Sequence, residues 1–213
     1  MIIGGRRLLF IGAHPDDIEI GCGALLAHVT ASTEVLCLTL SDNQKNPALK
    51  GVIEEELRSM AVLGVPSEQV RILAFETRNF PRDRQQILEV LYELNRTYRP
   101  DLVFTHTQAD MHQDHAVATM EALRAFRGTT VLGYDVVRSS HGFFPHVLIE
   151  VEQQDVQRKI QALAEYRTYH DRYYFDAETT RAILVRNGAL AECPFAEGFD
   201  ILRVVGRFAR AAT

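Results

Sequence analysis

The chain of 213 residues is 46% hydrophobic and 24% charged, and its formal net charge is −5. This length suits one well-buried domain, and the composition is typical of a globular protein. The acidic balance argues against a general binder of nucleic-acid phosphates. The first apolar run is too short for a signal peptide, and no run reaches the roughly 20 residues of a membrane-spanning helix. We therefore expect a cytoplasmic protein without membrane insertion.

Strand-like and helix-like apolar patterns alternate along most of the chain. Short apolar runs predict strands at residues 8–12, 34–40, 70–75, 101–105, 130–137 and 146–151. Apolar positions at helical spacing predict helices over about 18–29, 48–63, 87–98, 115–126 and 156–164. This repeated order predicts an α/β protein with a mostly parallel, doubly wound sheet and helices on both faces.

The organisation of the whole chain indicates one domain over residues 1–213, because no linker, repeat or low-complexity segment interrupts it. After Pro145 the pattern loosens. The aromatic segment from Tyr169 to Phe175 is expected to cover the site or to form a subunit contact. A homo-oligomer is therefore one expectation.

Two clusters of histidine and aspartate follow two of the predicted strands. His14-Pro15-Asp16-Asp17 comes after the first strand, and His112-Gln113-Asp114-His115 follows the fourth. Ligands of open α/β sheets bind at the carboxyl ends of strands, and strands distant in sequence are often neighbours there. A catalytic zinc site needs three such ligands and an open position for water. The pair of clusters therefore predicts a metal-dependent hydrolase.

Each cluster also has a simpler structural explanation. Pro15 and Asp16 favour a turn, and Asp17 is a suitable cap for the following helix. The second cluster fits an ordinary helix start, where Asp114 is favourable to the helix dipole. Two coincident clusters at matching positions favour the metal site. The residues alone leave open which of Asp16 and Asp17 would bind the metal and which would act as the base.

Glycines near the first cluster raise the alternative of a nucleotide-binding protein. Gly12, Gly21 and Gly23 lack the G-x-G-x-x-G spacing of a dinucleotide-binding loop. Close packing of the first helix explains them better.

The segment FIGAHPDDIEIGCGALLAH and the downstream HTQADMHQDH resemble the zinc-dependent N-acetylglucosaminyl deacetylases. This is the PIG-L or LmbE-like family, which includes mycothiol- and bacillithiol-pathway deacetylases. Weaker similarity continues from Glu56 to Gly64 and from Ala196 to Phe199. The resemblance implies a three-layer, Rossmann-like fold. It also implies hydrolysis of an N-acetyl group from a glucosamine-type sugar, which releases acetate and a free amine.

The resemblance further assigns roles to residues of the two clusters. The general base of the family matches Asp16. The histidine that stabilises the oxyanion in protonated form matches His112, with Asp114 as its partner. The metal ligands match His14, Asp17 and His115. The implied ion is Zn²⁺, although Fe²⁺ or another divalent ion suits the same donors.

Three positions depart from the family's pattern. Some members have Tyr two residues before the histidine matched by His112, where this chain has Asp110. An Arg that is common three residues before the glutamate matched by Glu56 is Ile53 here, and a Ser-Gln pair is replaced around residues 169–171. The resemblance therefore transfers the class of reaction but not a particular sugar.

Candidates for substrate contacts lie in loops after predicted strands, although ordinary turn and solvated positions suit them equally. They are Asp42, Arg78 and His141. His106 has no paired partner in the sequence and is interpreted as structural or solvated. The expected partner is a small-molecule amino sugar. A deacylase of non-sugar amides and a non-catalytic carbohydrate-binding protein are the alternatives.

Overall fold

The computed structural model describes residues 6–43, 45–169 and 171–206. The strands within them are β1 (Arg7–Gly12), β2 (Glu34–Thr39), β3 (Val70–Ile72), β4 (Leu102–His106), β5 (Thr130–Tyr134), β6 (Val147–Glu150) and β7 (Ala196–Arg203). The α-helices are α1 (Asp17–Val29), α2 (Val52–Leu63), α3 (Phe80–Thr97), α4 (Gln113–Ala125), α5 (Gln153–Ala164) and α6 (Ala177–Leu190). None of the described helices has the length and apolar character needed to cross a bilayer.

The strands form a single sheet in the order β3-β2-β1-β4-β5-β7-β6. Strands β1 to β5 pair in parallel, whereas β7 runs antiparallel to both β5 and β6. The predicted α/β fold with a mostly parallel sheet is confirmed. Strands β1 and β4 are neighbours, with Leu8 opposite Leu102 and Phe10 opposite Phe104. Their following loops therefore meet at one edge of the sheet.

Helices cover both faces of the sheet, as predicted. Leu8 and Phe10 pack with side chains of α1, α2 and α5 on one face. Leu9 and Ile11 pack with side chains of α3 and α4 on the other face. Because β1 is buried on both faces, its sequence is a nearly continuous apolar run rather than an alternating one.

The C-terminal part contains two elements that the apolar pattern did not predict. Helix α6 buries Thr180, Leu184, Asn187 and Gly188, so its inner face is mostly polar or small. Strand β7 inserts between β5 and β6 instead of following them in order, and it buries Glu197. Neither element has the regularly spaced apolar residues that predict the earlier helices and strands.

Helix α1 packs so closely on its neighbours that two of its glycines have no room for a side chain. A Cβ atom at Gly21 would lie 2.1 Å from the ring of Tyr134. A Cβ atom at Gly23 would lie 2.9 Å from Lys159. These distances confirm close packing as the reason for the glycines.

A buried ion pair holds the middle of α1. Lys159 Nζ donates to Glu197 Oε1 at 2.7 Å and to the carbonyl oxygen of Ile20 at 2.6 Å. The Glu197 carboxylate also accepts the backbone N–H groups of Ala24 and Leu25. Helix α5 and strand β7 therefore fix α1, whose first turn carries Asp17.

Candidate metal centre

Three side chains from the β1–α1 and β4–α4 junctions converge on one point. His14 Nδ1 lies 3.2 Å from His115 Nε2. Asp17 Oδ2 lies 3.5 Å from each of these two nitrogens. All three residues are buried. The structure therefore brings together the three residues expected to bind a metal.

The spacing and chemistry of these atoms fit a small divalent cation. Ligand atoms about 2.1 Å from a tetrahedral ion lie about 3.4 Å from one another. The three observed separations are close to this value. Two imidazole nitrogens and one carboxylate oxygen suit Zn²⁺ and also Fe²⁺. Three protein ligands leave a coordination position for water or substrate.

The electrostatics of the centre favour positive charge. Asp17 Oδ2 accepts the backbone N–H groups of Ala13 at 3.1 Å and His14 at 2.8 Å. Burial would raise the pKa of Asp17, but the neighbouring histidines, led by His115, lower it well below its ordinary value. Burial opposes charge on His14, yet Asp114 and Asp17 raise its pKa to about 9. The site therefore attracts a cation, and a metal ion would compete with the proton on His14.

Asp114 orients a predicted metal ligand. Its Oδ2 lies 3.0 Å from His14 Nε2, and its other oxygen accepts the backbone N–H of Phe80. The Asp114 carboxylate therefore pairs with His14, and the expectation that it pairs with His112 is wrong. His112 precedes α4 as its N-cap, and its Nδ1 accepts the backbone N–H of Asp114 at 3.2 Å. The Asp114 side chain instead extends from the first turn of α4 to His14 and the start of α3.

Asp110 holds the other histidine ligand. Its Oδ2 lies 2.8 Å from His115 Nδ1 and accepts the Ser139 hydroxyl at 2.8 Å. Its Oδ1 accepts the backbone N–H of His112 at 2.8 Å. A carboxylate on one ring nitrogen fixes the tautomer that directs the other nitrogen at the metal. In the sequence Asp110 stands out only as a departure from the family, because this contact depends on the fold of the loop.

His106 is a buried support that the sequence did not identify. Its ring stacks on that of His115 with centroids 3.9 Å apart. Its Nε2 accepts the backbone N–H of Ala13 and lies 3.5 Å from Asp17 Oδ2. Burial and the charge of His115 lower the pKa of His106 well below its ordinary value, so its ring is neutral. His106 is buried and not solvated.

Asp16 lies between two predicted ligands in a backbone conformation that is rare for a residue with a side chain. Its φ is 99°, in the left-handed region. Asp17 is the first residue of α1, and Asp16 immediately precedes that helix and lines the adjoining cavity. Burial is the largest of the causes that raise the pKa of Asp16 well above its ordinary value, and the negative charge of Asp17 is the second. A higher pKa makes a carboxylate a better proton acceptor.

His112 lines the same cavity from the other loop. Because its Nδ1 accepts the hydrogen bond from the backbone N–H of Asp114, the proton of the neutral ring resides on Nε2. Burial and the charges of His115 and His14 lower the pKa of His112 to about 4. The lowered pKa favours the neutral ring of His112 as a hydrogen-bond donor, whereas the resemblance implies a protonated ring.

A cavity of about 420 Å³ opens beside the predicted ligands, a size typical of small-molecule sites. Arg78 lines this cavity, so its predicted contact with substrate is spatially feasible. Asp42 and His141 lie outside the residues that line it. Polar lining residues that the sequence analysis did not identify include Asn43, Lys45, Asn46, Thr77, Arg138 and Arg172.

The aromatic segment that follows α5 forms part of the cavity wall. Tyr169 and Tyr174 both line the cavity, which confirms that this segment covers the site. The intervening His170 lies outside the described residues. Arg172, between the two tyrosines, has its guanidinium 4.3 Å from the centre of the Tyr169 ring.

Comparison with known proteins identifies a family for more than half of the chain. The family model described as PIG-L, GlcNAc-PI de-N-acetylase, matches residues 9–126. This range includes both histidine and aspartate clusters, most of β1 and all of β4.

Individual relatives extend the similarity over most of the chain. It is 29% identical to the uncharacterized deacetylase YaiS of Escherichia coli, over 76% of this chain and 91% of that protein. It is 25% identical to the diacetylchitobiose deacetylase of Thermococcus kodakarensis, over 90% of this chain and 71% of that protein. The crystal structure of a conserved protein from Thermus thermophilus superposes with a TM-score of 0.77 at 22% identity. That match covers 99% of this chain and 100% of the other.

Proposed function

The chain belongs to the PIG-L family, and from this premise we propose that it is a metal-dependent N-deacetylase. Its substrate is an N-acetylglucosamine-type sugar or conjugate, which it hydrolyses to acetate and a free amine. The observation that carries the proposal is the convergence of His14, Asp17 and His115 beside a cavity that Asp16 also lines.

His14, Asp17 and His115 would hold the ion, either Zn²⁺ or Fe²⁺. When bound, such an ion lowers the pKa of water towards about 7 and polarises an amide carbonyl. The chain's own contribution is to fix the donor atoms. Asp114 and Asp110 orient the two histidines, and backbone N–H groups orient the Asp17 carboxylate.

Asp16 is the proposed general base. It takes one proton from the water whose oxygen attacks the acetyl carbonyl carbon. Its raised pKa allows it to keep this proton and then deliver it to the sugar nitrogen as the carbon–nitrogen bond breaks. The nitrogen then leaves as an amine, and the acyl fragment leaves as acetic acid, which releases the second water proton to solvent and becomes acetate.

His112 is the proposed oxyanion donor. Its Nε2–H is available to the cavity because Nδ1 is occupied by the backbone of α4. A preorganised donor of this kind stabilises the charge that develops on the acetyl oxygen during attack. A neutral imidazole at a helix N-terminus can stabilise this oxyanion, because its N–H donates a hydrogen bond even when the ring is uncharged.

The presence of a base beside the metal ligands argues against a protein that only binds carbohydrate. Binding alone does not need a buried carboxylate in a left-handed backbone conformation. The proposed chemistry involves only the amide group, so acetate release from N-acetyl sugars and from simple N-acyl amines must be compared.

The direct test combines metal analysis with an acetate-release assay. We expect about one divalent ion per chain, and acetate release from N-acetylglucosamine or its glycosides that stops on chelation and returns with Zn²⁺ or Fe²⁺. If the protein binds metal but releases acetate only from simple N-acyl amines, the substrate is a non-sugar amide and not an amino sugar. A protein that binds no metal after controlled reloading would overturn the proposal.

A further inference from the structure

Two arginines meet at one phenol oxygen on the wall of the cavity. Arg172 Nη1 donates to the Tyr174 hydroxyl at 2.6 Å, and Arg138 Nη1 donates to the same oxygen at 3.2 Å. Their guanidinium carbons lie 5.9 and 5.8 Å from the centre of the Tyr174 ring. Arg138 follows β5 and Arg172 follows α5, so the two charges come from separate segments.

This pair of positive charges has no carboxylate within ion-pair distance among the described residues. The described acidic residues that line the cavity are Asp16, Asp17 and Glu76. Asp17 belongs to the metal centre, and Glu76 is paired with Lys45 at 2.7 Å. Asp16 attracts Arg172 only at a distance, and it is the proposed base. The wall is thus positively charged in a chain whose net charge is negative.

Each guanidinium has donors left over for a ligand. An arginine side chain offers five N–H groups in a planar fork, and a phenol oxygen engages one group from each arginine here. Planar forks match the paired oxygens of carboxylate and phosphate groups. An anion at this position would also relieve the repulsion between the two arginines.

We propose that Arg138 and Arg172 bind an oxyanion, a carboxylate or a phosphate, on the part of the substrate next to the acetylated sugar. The inference rests on the proposed deacetylase function and narrows its substrate to anionic conjugates of the amino sugar. The metal centre acts on the acetamide, while the two arginines bind the substituent at the cavity wall.

The test compares three substrates that share one sugar. They are the methyl glycoside of N-acetylglucosamine, its carboxymethyl glycoside, and N-acetylglucosamine 1-phosphate. We expect kcat/KM for at least one anionic substrate to exceed that for the methyl glycoside by about 10-fold or more, and this advantage to shrink as salt is added. The larger advantage identifies carboxylate or phosphate as the preferred group.

Variants assign the preference to the arginines. Arg138→Gln and Arg172→Gln should each reduce the ratio of anionic to neutral kcat/KM by about 10-fold, whereas Arg138→Lys should retain part of it. Arg127→Gln makes the same charge change at an exposed residue outside the cavity and should leave the ratio unchanged. Equal kcat/KM for all three substrates, or equal effects of the Arg138 and Arg127 variants, would overturn the proposal.

Equilibrium binding separates this inference from the deacetylase proposal. Calorimetric titration of metal-loaded protein with the same three compounds measures Kd without turnover. If none releases acetate, the deacetylase proposal fails, but an anion-specific Kd that rises about 10-fold in Arg138→Gln still supports the anion site. Anionic and neutral compounds with the same Kd in every variant would refute the anion site while leaving any observed deacetylation intact.

Discussion

Asp16 and Asp17 show how one fold gives adjacent, chemically identical residues different properties. Asp17 lies among histidines and backbone N–H groups, which hold its pKa below the ordinary value. Asp16 is buried beside that fixed negative charge, which raises its pKa. A pair of carboxylates whose pKa values are driven apart is the usual arrangement of a site that needs both an anion and a proton carrier.

This division predicts opposite results from the same substitution at neighbouring positions. Asp16→Asn should retain the metal and lower kcat by roughly 10²–10⁴, because the water loses its proton acceptor. Asp17→Asn should lose most of the metal at the same free-metal concentration, since it replaces a charged ligand. Metal content and single-turnover acetate release, measured on both variants, check the assignment.

Each variant serves as the control for the other. Wild-type turnover in Asp16→Asn would show that another group accepts the proton. Loss of metal from Asp16→Asn with retention in Asp17→Asn would reverse the two roles. Circular dichroism of both proteins distinguishes these results from a failure to fold.

At the scale of elements, the ion pair of Lys159 and Glu197 connects α5 and β7 to the middle of α1. Both side chains are buried, at 5% and 2% exposure, so removing one partner leaves the other charge uncompensated. We expect Glu197→Gln to lower the free energy of unfolding by about 3 to 5 kcal/mol. Urea denaturation of the metal-free protein measures this change without a contribution from the ion.

The matched control for this prediction is Glu93→Gln. Glu93 forms an exposed pair with Arg96 on α3, and such pairs contribute about 0 to 1 kcal/mol. A Glu197 variant no less stable than the Glu93 variant would show that the buried pair does not hold α1.

The elements that the sequence predicts are those that bury apolar side chains at regular spacing. This applies up to α5, although α3 begins at Phe80 and not at residue 87, because its first turns are mostly polar. Helix α6 and strand β7 escape prediction because they bury residues such as Asn187 and Glu197.

The same distinction applies to the site. The candidate ligands lie in two short motifs and are visible in sequence. Asp110 accepts the Ser139 hydroxyl, and His106 accepts the backbone N–H of Ala13, only when separate loops approach one another. The pairing of Asp114 with His14 also depends on that approach, so its nearer neighbour His112 was expected instead.

At the scale of the whole molecule, the candidate metal centre joins two distant parts of the chain. His14 follows β1 and His115 lies in α4, 101 residues further on, and the two strands that carry them are central neighbours in the sheet. The unfolded chain does not hold these predicted ligands together, so an ion would bind the folded state preferentially. Metal binding would thereby be linked to the stability of the fold.

We therefore expect chelation to lower the thermal stability of the wild-type protein. Metal at about 100 times its Kd stabilises a fold by about 2.7 kcal/mol. For a chain of this size, this corresponds to a rise in Tm of roughly 5–10 °C. His115→Ala should abolish the metal-dependent rise, because it removes a ligand from the α4 side.

His146→Ala is the matched control, since His146 is exposed on the β6 side of the sheet and its Nδ1 pairs with Asp200. It should keep the full rise in Tm on addition of metal. Asp16→Asn should keep it as well, because Asp16 is the proposed base and not a ligand. Calorimetric scans with and without metal would contradict this arrangement if His115→Ala retained the shift. If only Asp16→Asn lost the metal-dependent rise in Tm, Asp16 would be a metal ligand and not the base.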